Sequence, residues 1–219
     1  MPNLERHAEV WLLRLGDGEN RFNPGFVSAV NDALDEVEDA AGPRALVTCA
    51  EGKFWSTGLD LDWMGGHRDE ADDLLRAVHR LLARVLVYPV PAIAAVNGHA
   101  FAAGAMLACA HDQTVMRADR GFWCLPEIDL GLPFTPGMDA LLRARLPARA
   151  AHQAMTTGRR YGGTDAHAAG LVDATADADE VLSAAIDIAA PLAGKAGPTL
   201  GSIKAQMYAG VVAALTDAA

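Results

Sequence analysis

The stretch PAIAAVNGHAFAAGAMLACAHD, residues 91–112, decides how this chain folds. Residues 92–96 (AIAAV) are an apolar run of the length of a buried strand. Asn97-Gly98-His99 ends the run. Residues 102–110 are nearly all small, the composition of a tightly packed helix.

Upstream, Leu74, Leu75, Val78, Leu81, Leu82, Val85 and Leu86 form one apolar helical stripe that Pro89 closes. Before it lies a glycine-containing loop, EGKFWSTGLDLD at 51–62, and before that a short buried strand, ALVTC at 45–49. The chain begins with VWLLRL (10–15) as a strand and a turn over 16–23. Pro24 then occupies the first helical position, and Phe26, Val30, Leu34 and Val37 recur at helical spacing. This β-α-β start implies a parallel pair of strands and a layered α/β fold. Downstream, 114–117 and 122–125 read as strands. Thr135 is a helix cap before Pro136, Thr164 a second one before 165–169, and the last two helices cover 177–190 and 199–215. Nothing marks a linker or a repeat, so residues 1–135 and 136–219 read as the core and the helical C-terminal part of one domain.

The bulk properties exclude several classes of function. The formal net charge of -10 repels phosphate backbones, so nucleic acid is not an expected partner. Prolines, Asn97, Gly98 and His99 interrupt the most apolar region too often for a membrane span. The first ten residues are charged where a signal peptide would be apolar, and the three cysteines are scattered. The expectations are a cytoplasmic compartment, small buried cysteines and no metal site. Phosphate-loop, serine-elbow, zinc-helix and dinucleotide fingerprints are absent.

Three segments carry chemistry together: FWSTGLDL (54–61), residues 91–112, and CLPEIDLGLPFTPGM (124–138). With TTGRRYGGTDAHAAGLVD (156–173) following in register, the chain resembles the crotonase (enoyl-CoA hydratase/isomerase) superfamily over most of its length. The resemblance implies a ClpP/crotonase-type α/β spiral of β-β-α turns with a C-terminal helical trimerisation region, hence a homotrimer or hexamer. It implies an acyl-CoA thioester as substrate, coenzyme A being part of that substrate and no cofactor being needed. The thioester oxygen would lie between the backbone N–H groups of Leu59 and Ala103. Ser56, Thr57, Gly58, Asp60, Leu61 and Gly104 would contribute to substrate binding, Asp60 and Asp62 by capping or fixing the coenzyme A loop. Lys53 or Arg21 are candidates for its phosphates.

The resemblance further assigns the acid–base role to Glu127. The family's hydratases carry a second Glu three residues after the second oxyanion-hole residue, and that position here is Met106. Dienoyl-CoA isomerases carry further acids at the positions of Met106 and Thr135. A single carboxylate suits shuttling one proton from C2 to C4, so the resemblance is nearest to Δ3,Δ2-enoyl-CoA isomerases. Hydration of a 2-enoyl-CoA, or acyl-CoA binding without turnover, stays open. Phe122, Trp123, Leu125, Leu130, Leu132 and Phe134 are expected to keep Glu127 dry and raise its pKa. Asp129 would point the same way on an extended segment or serve a turn. His99 and the pair His111-Asp112 read as structural. Trp55, Trp63 and Trp123 read as core before pocket. The loop 64–73 and the last helices would shape the acyl pocket. Leu200, Ile203, Met207, Val211 and Leu215 form a stripe on one helix face, for burial at a subunit contact, with Lys204 off it.

Overall fold

The computed structural model describes residues 1–217. Its larger sheet holds β1 (Asn3–His7), β2 (Val10–Arg14), β4 (Ala45–Cys49), β7 (Ala92–Val96), β9 (Gln113–Arg117) and β11 (Ala174–Ala176), hydrogen-bonded in that order. Every pair is parallel except β1 with β2, which form an antiparallel hairpin. β4 and β7 are buried along their whole length, as the strands of a sheet covered on both faces must be.

A smaller parallel sheet has the order β10 (Trp123–Cys124), β8 (His99–Phe101), β5 (Phe54–Ser56), and a two-stranded pair joins β3 (Arg21–Phe22) to β6 (Gly58–Leu59). The chain visits the large sheet, then a small one, then a helix, and repeats. So β2 and β3 lead to α1 (Pro24–Asp39). β4, β5 and β6 lead to α2 (Leu61–Gly66) and α3 (Ala71–Leu86), and β7 and β8 lead to α4 (Ala103–Ala110). These are the expected β-β-α turns. Asn23 starts α1 by accepting from Phe26 N at 3.0 Å, ahead of Pro24.

After β9 and β10 come α5 (Glu127–Leu130), α6 (Pro136–Arg145), α7 (Ala148–Thr157), α8 (Gly163–Ala168) and, beyond β11, α9 (Val181–Ala189). A 3-10 turn over Ala190–Lys195 then leads to α10 (Pro198–Met207) and α11 (Ala209–Thr216). Thr135 caps α6 as its position before Pro136 suggests, accepting from Met138 N at 3.3 Å. Thr164 does not cap α8: Gly162 holds the extended cap conformation and Thr164 lies inside the helix. All three cysteines are free and buried.

The C-terminal stripe is not continuous. The helix breaks at Tyr208, so its two halves are out of phase. Leu215 is buried in the chain's own core and Val211 packs against that core, whereas Ile203 and Met207 are exposed. Lys204, expected off the buried face, is buried instead. Its ammonium donates to Tyr88 O at 2.9 Å and pairs with Asp112 at 2.7 Å.

Candidate active site at the ends of three parallel strands

Parallel pairing makes β5, β8 and β10 all leave the small sheet at one edge. From that edge emerge Thr57 to Leu59, Ala102 to Gly104 and Leu125 to Glu127. The carboxyl ends of parallel strands are where open α/β sheets bind ligands. Gly58 has φ +83°, and a Cβ built there would stand 2.8 Å from Ala103 N and 3.2 Å from Gly104 N. β6 therefore lies backbone to backbone against the start of α4. Ala103 and Gly104, as its first residues, have N–H groups without an intrahelical acceptor, and the helix dipole favours negative charge there.

Ala102 sits just before this helix at φ +51° and ψ -127°, a conformation that costs a non-glycine residue about 1–3 kcal/mol. Its N–H donates to Cys124 O at 3.0 Å and its carbonyl accepts from Met106 N at 3.0 Å. The strained residue is thus tied to β10 on one side and to α4 on the other. Gly104 is needed for packing: a Cβ there would meet Ser56 O at 2.5 Å.

Glu127 opens α5 and is 7% exposed. Burial pushes its carboxyl from 4.5 up to about 7, against a smaller backbone hydrogen bond that lowers it. Its Oε2 is buried with no protein hydrogen-bond partner. An acid poised near neutrality can both take and return a proton. Trp123 and Leu125 are buried beside it in sequence, but Phe122, Leu130 and Leu132 are exposed, so they do not form the dry wall expected of them. Asp129 does not accompany Glu127. The segment is a helical turn rather than extended, and residues two apart on a helix face different ways. Asp129 lies instead against Gly158, at the end of α7. Met106 is fully buried one turn into α4, and Thr135 Oγ1 is hydrogen-bonded to His79 Nε2 at 3.0 Å.

Several expected side chains turn out to hold the loop. Ser56 is buried, donates to Asn20 O at 2.9 Å and accepts from Gly58 N at 3.1 Å. Thr57 donates to Glu19 O, and Asp60 caps α2 by accepting from Trp63 N at 3.1 Å. Leu61 is exposed on α2. Asn20, which sequence reasoning leaves in a turn, donates to Phe54 O and Trp55 O and has φ +50°. An Asn among Gly and Asp is the only signal of that role. Arg21 is occupied by Glu19, Asp62 and Asp60, whereas Lys53 is exposed and lies over the Phe54 ring. Trp55 and Trp123 are core, and Trp63 stacks on His67. His111 is buried between Thr48 Oγ1 and Leu107 O, a structural role as expected.

A family model described as enoyl-CoA hydratase/isomerase matches residues 5–219. The enoyl-CoA delta isomerase 2, peroxisomal, of Arabidopsis thaliana is 35% identical, the match covering 95% of this chain and 92% of that protein. A putative enoyl-CoA hydratase of Thermus thermophilus is 33% identical over 93% and 81% of the two chains. A crystal structure of an enoyl-CoA isomerase from Mycobacterium tuberculosis superposes with a TM-score of 0.90 at 28% identity, covering 99% of this chain and 95% of that one. The same mycobacterial protein has also been described as a probable enoyl-CoA hydratase.

Proposed function

The chain belongs to the enoyl-CoA hydratase/isomerase family, and from that premise we propose that it shifts a 3-enoyl-CoA double bond to the 2-trans position. The observation that carries this reading is Glu127, the one buried carboxylate among the described residues, pushed up to about 7, while Met106, at the position where the family's hydratases carry a second Glu, is apolar. In the proposed step Glu127 removes a proton from C2, the C3–C4 double bond moves to C2–C3, and the same proton returns at C4. The charge that builds on the thioester oxygen is received by the N–H groups of Leu59 and Ala103. Preorganised donors of this kind contribute roughly 3 to 4 kcal/mol each. Proton and electron pair both stay within the substrate, so the step consumes no cofactor. We infer a reducing, cytoplasmic setting, consistent with three free cysteines.

Hydration would need a second group to activate water, and the position where hydratases hold it is fully buried Met106. The test is to incubate the protein with a 3-enoyl-CoA and follow absorbance of the conjugated enoyl thioester, with water addition to a 2-enoyl-CoA measured in parallel. Isomerisation that Glu127→Gln lowers by roughly 100- to 10,000-fold is the expected result. Water addition as the faster reaction, or acyl-CoA binding with neither reaction, would overturn the isomerase reading.

A further inference from the structure

Glu127 opens a segment whose own hydrogen bonds are local. Pro126 O accepts from Asp129 N at 2.9 Å and from Leu130 N at 3.1 Å, and Glu127 O accepts from Leu132 N at 3.0 Å. Ile128, Leu130 and Leu132 are exposed, and Gly131 turns the chain through the left-handed region. None of these bonds reaches α4, whose start offers N–H groups to the proposed substrate oxygen.

The tie comes at Thr135. Half-buried, it accepts from Met138 N at 3.3 Å as the cap of α6, and its Oγ1 lies 3.0 Å from Nε2 of His79 on α3. Among the described residues this second contact is the one side-chain hydrogen bond that joins the 127–135 segment to an element other than the helix it leads into. Phe134 adds apolar packing against the core, which is not directional. His79 is 3% exposed and is the only polar side chain among the buried residues of α3, in a stripe otherwise of Leu, Val and Ala. A polar ring so placed costs stability unless it is hydrogen-bonded. Burial also pushes His79 below its ordinary value, and a neutral imidazole has one donor and one acceptor, so Nε2 can pair with a hydroxyl in either tautomer. α3 in turn packs on α4. A chain of contacts therefore runs from α4 through His79 and Thr135 to the segment that begins at Glu127.

We propose that His79 is a positioning residue, which through Thr135 holds the Glu127 segment in register with the start of α4. Its kinetic consequence rests on the isomerase reading: a proton leaves C2 while the thioester oxygen is held, so both groups must meet one substrate in fixed geometry. The proposed substrate contacts of β6 and the start of α4 do not pass through Thr135, so the effect falls on kcat and not on KM.

The test compares His79→Leu, a buried helix former without the hydrogen bond, with His79→Gln, whose amide can put a donor or an acceptor near the place of Nε2. In the full chain His79→Leu lowers kcat for a 3-enoyl-CoA about 10- to 100-fold with KM held, the scale of a reacting group misplaced by about 1 Å. His79→Gln recovers most of that loss. Hydrogen exchange of the peptide over 127–138, read by mass spectrometry without substrate, speeds in His79→Leu and slows again in His79→Gln, while the melting temperature changes little. Thr135→Val lowers kcat as well, and adding His79→Leu to it brings no further loss, because both act through one bond. Wild-type kcat and exchange in His79→Leu would overturn the proposal. So would a loss that Gln does not recover, a loss that tracks a fall in melting temperature, or losses that multiply in the double variant. A wild type that does not isomerise would defeat the isomerase reading, and the exchange rates would still decide the tie between His79 and Thr135.

Discussion

Burying the Glu127 carboxyl from 4.5 up to about 7 sets its proposed role against stability. Between those values the folded chain holds a proton that the unfolded chain has released. Stability therefore falls as pH rises from about 4.5 to 7, by roughly 3 kcal/mol if the whole shift is expressed. Glu127→Gln removes that cost. Thermal melts should show the variant more stable than wild type at pH 8, with the difference gone below pH 4.5. In the proposed reaction the base must be ionised, so wild-type kcat/KM rises with pH, reaching half its plateau near 7. A variant with no gain at pH 8 would show that the carboxyl titrates near its ordinary value. At Ala102 the strain is of the backbone. Ala102→Gly relieves it at some cost in unfolded-chain entropy, for a net gain of about 1 kcal/mol, measured as a rise in denaturation midpoint. A fall would mean that Ala102 is comfortable as it stands.

The elements that the sequence declares are those with a long enough pattern. α1 and α3 show apolar stripes over 16 residues each, β7 is an unbroken apolar run, and β4 is one broken only by Thr48. β1 escapes detection because four of its five residues are exposed, which leaves no apolar alternation. β3 and β6 have two residues each, and α5 has four, too few for any period. α5 is set by Pro126 and by Gly131 in the left-handed conformation, signals equally at home in a loop, so of the two readings of Asp129 the extended one fails and the turn one fits. For the candidate site, a desolvated Glu127 and the meeting of β6 with α4 were legible through the motif pattern. The loop-holding roles of Ser56 and Asn20 were not, because they depend on which carbonyls the fold brings near. The contact of α4 with β5 gives an element-scale prediction. Gly104→Ala drives a methyl into Ser56 O, so α4 must shift, costing about 1 to 3 kcal/mol. The shift also moves the Ala103 N–H, so kcat should fall more than the melting change alone explains. Unchanged kcat in the folded variant would detach the start of α4 from the reaction.

At the scale of the molecule, the C-terminal helices are anchored by two cations, the half-buried Arg145 and the buried Lys204. Arg145 from α6 donates to Cys109 O at 2.8 Å, His111 O at 2.7 Å and Asp112 O at 3.0 Å, closing the far end of α4, and to Tyr208 Oη at 2.9 Å, where α10 meets α11. Lys204 pairs with Asp112, whose other bond is accepted from Ala92 N at the start of β7. Burial pushes Lys204 below its ordinary value, and Asp112 partly offsets this, so the ammonium stays where it is because the carboxylate is there. The last helices are thus tied to the central strand and to the helix of the proposed oxyanion site, which argues for one cooperative unit rather than a core with an appendage. Lys204→Met leaves Asp112 half-buried with only the Ala92 N–H. It should cost about 3 kcal/mol, the low end for breaking a buried pair, because Asp112 keeps some solvent. Adding Asp112→Asn removes the stranded charge while keeping an acceptor for Ala92, and should restore part of the loss. Calorimetry should show a single transition for wild type and variants, with calorimetric and van't Hoff enthalpies equal. Two separated transitions in Lys204→Met, the first from the C-terminal helices alone, would show that those helices fold independently of the strands they touch.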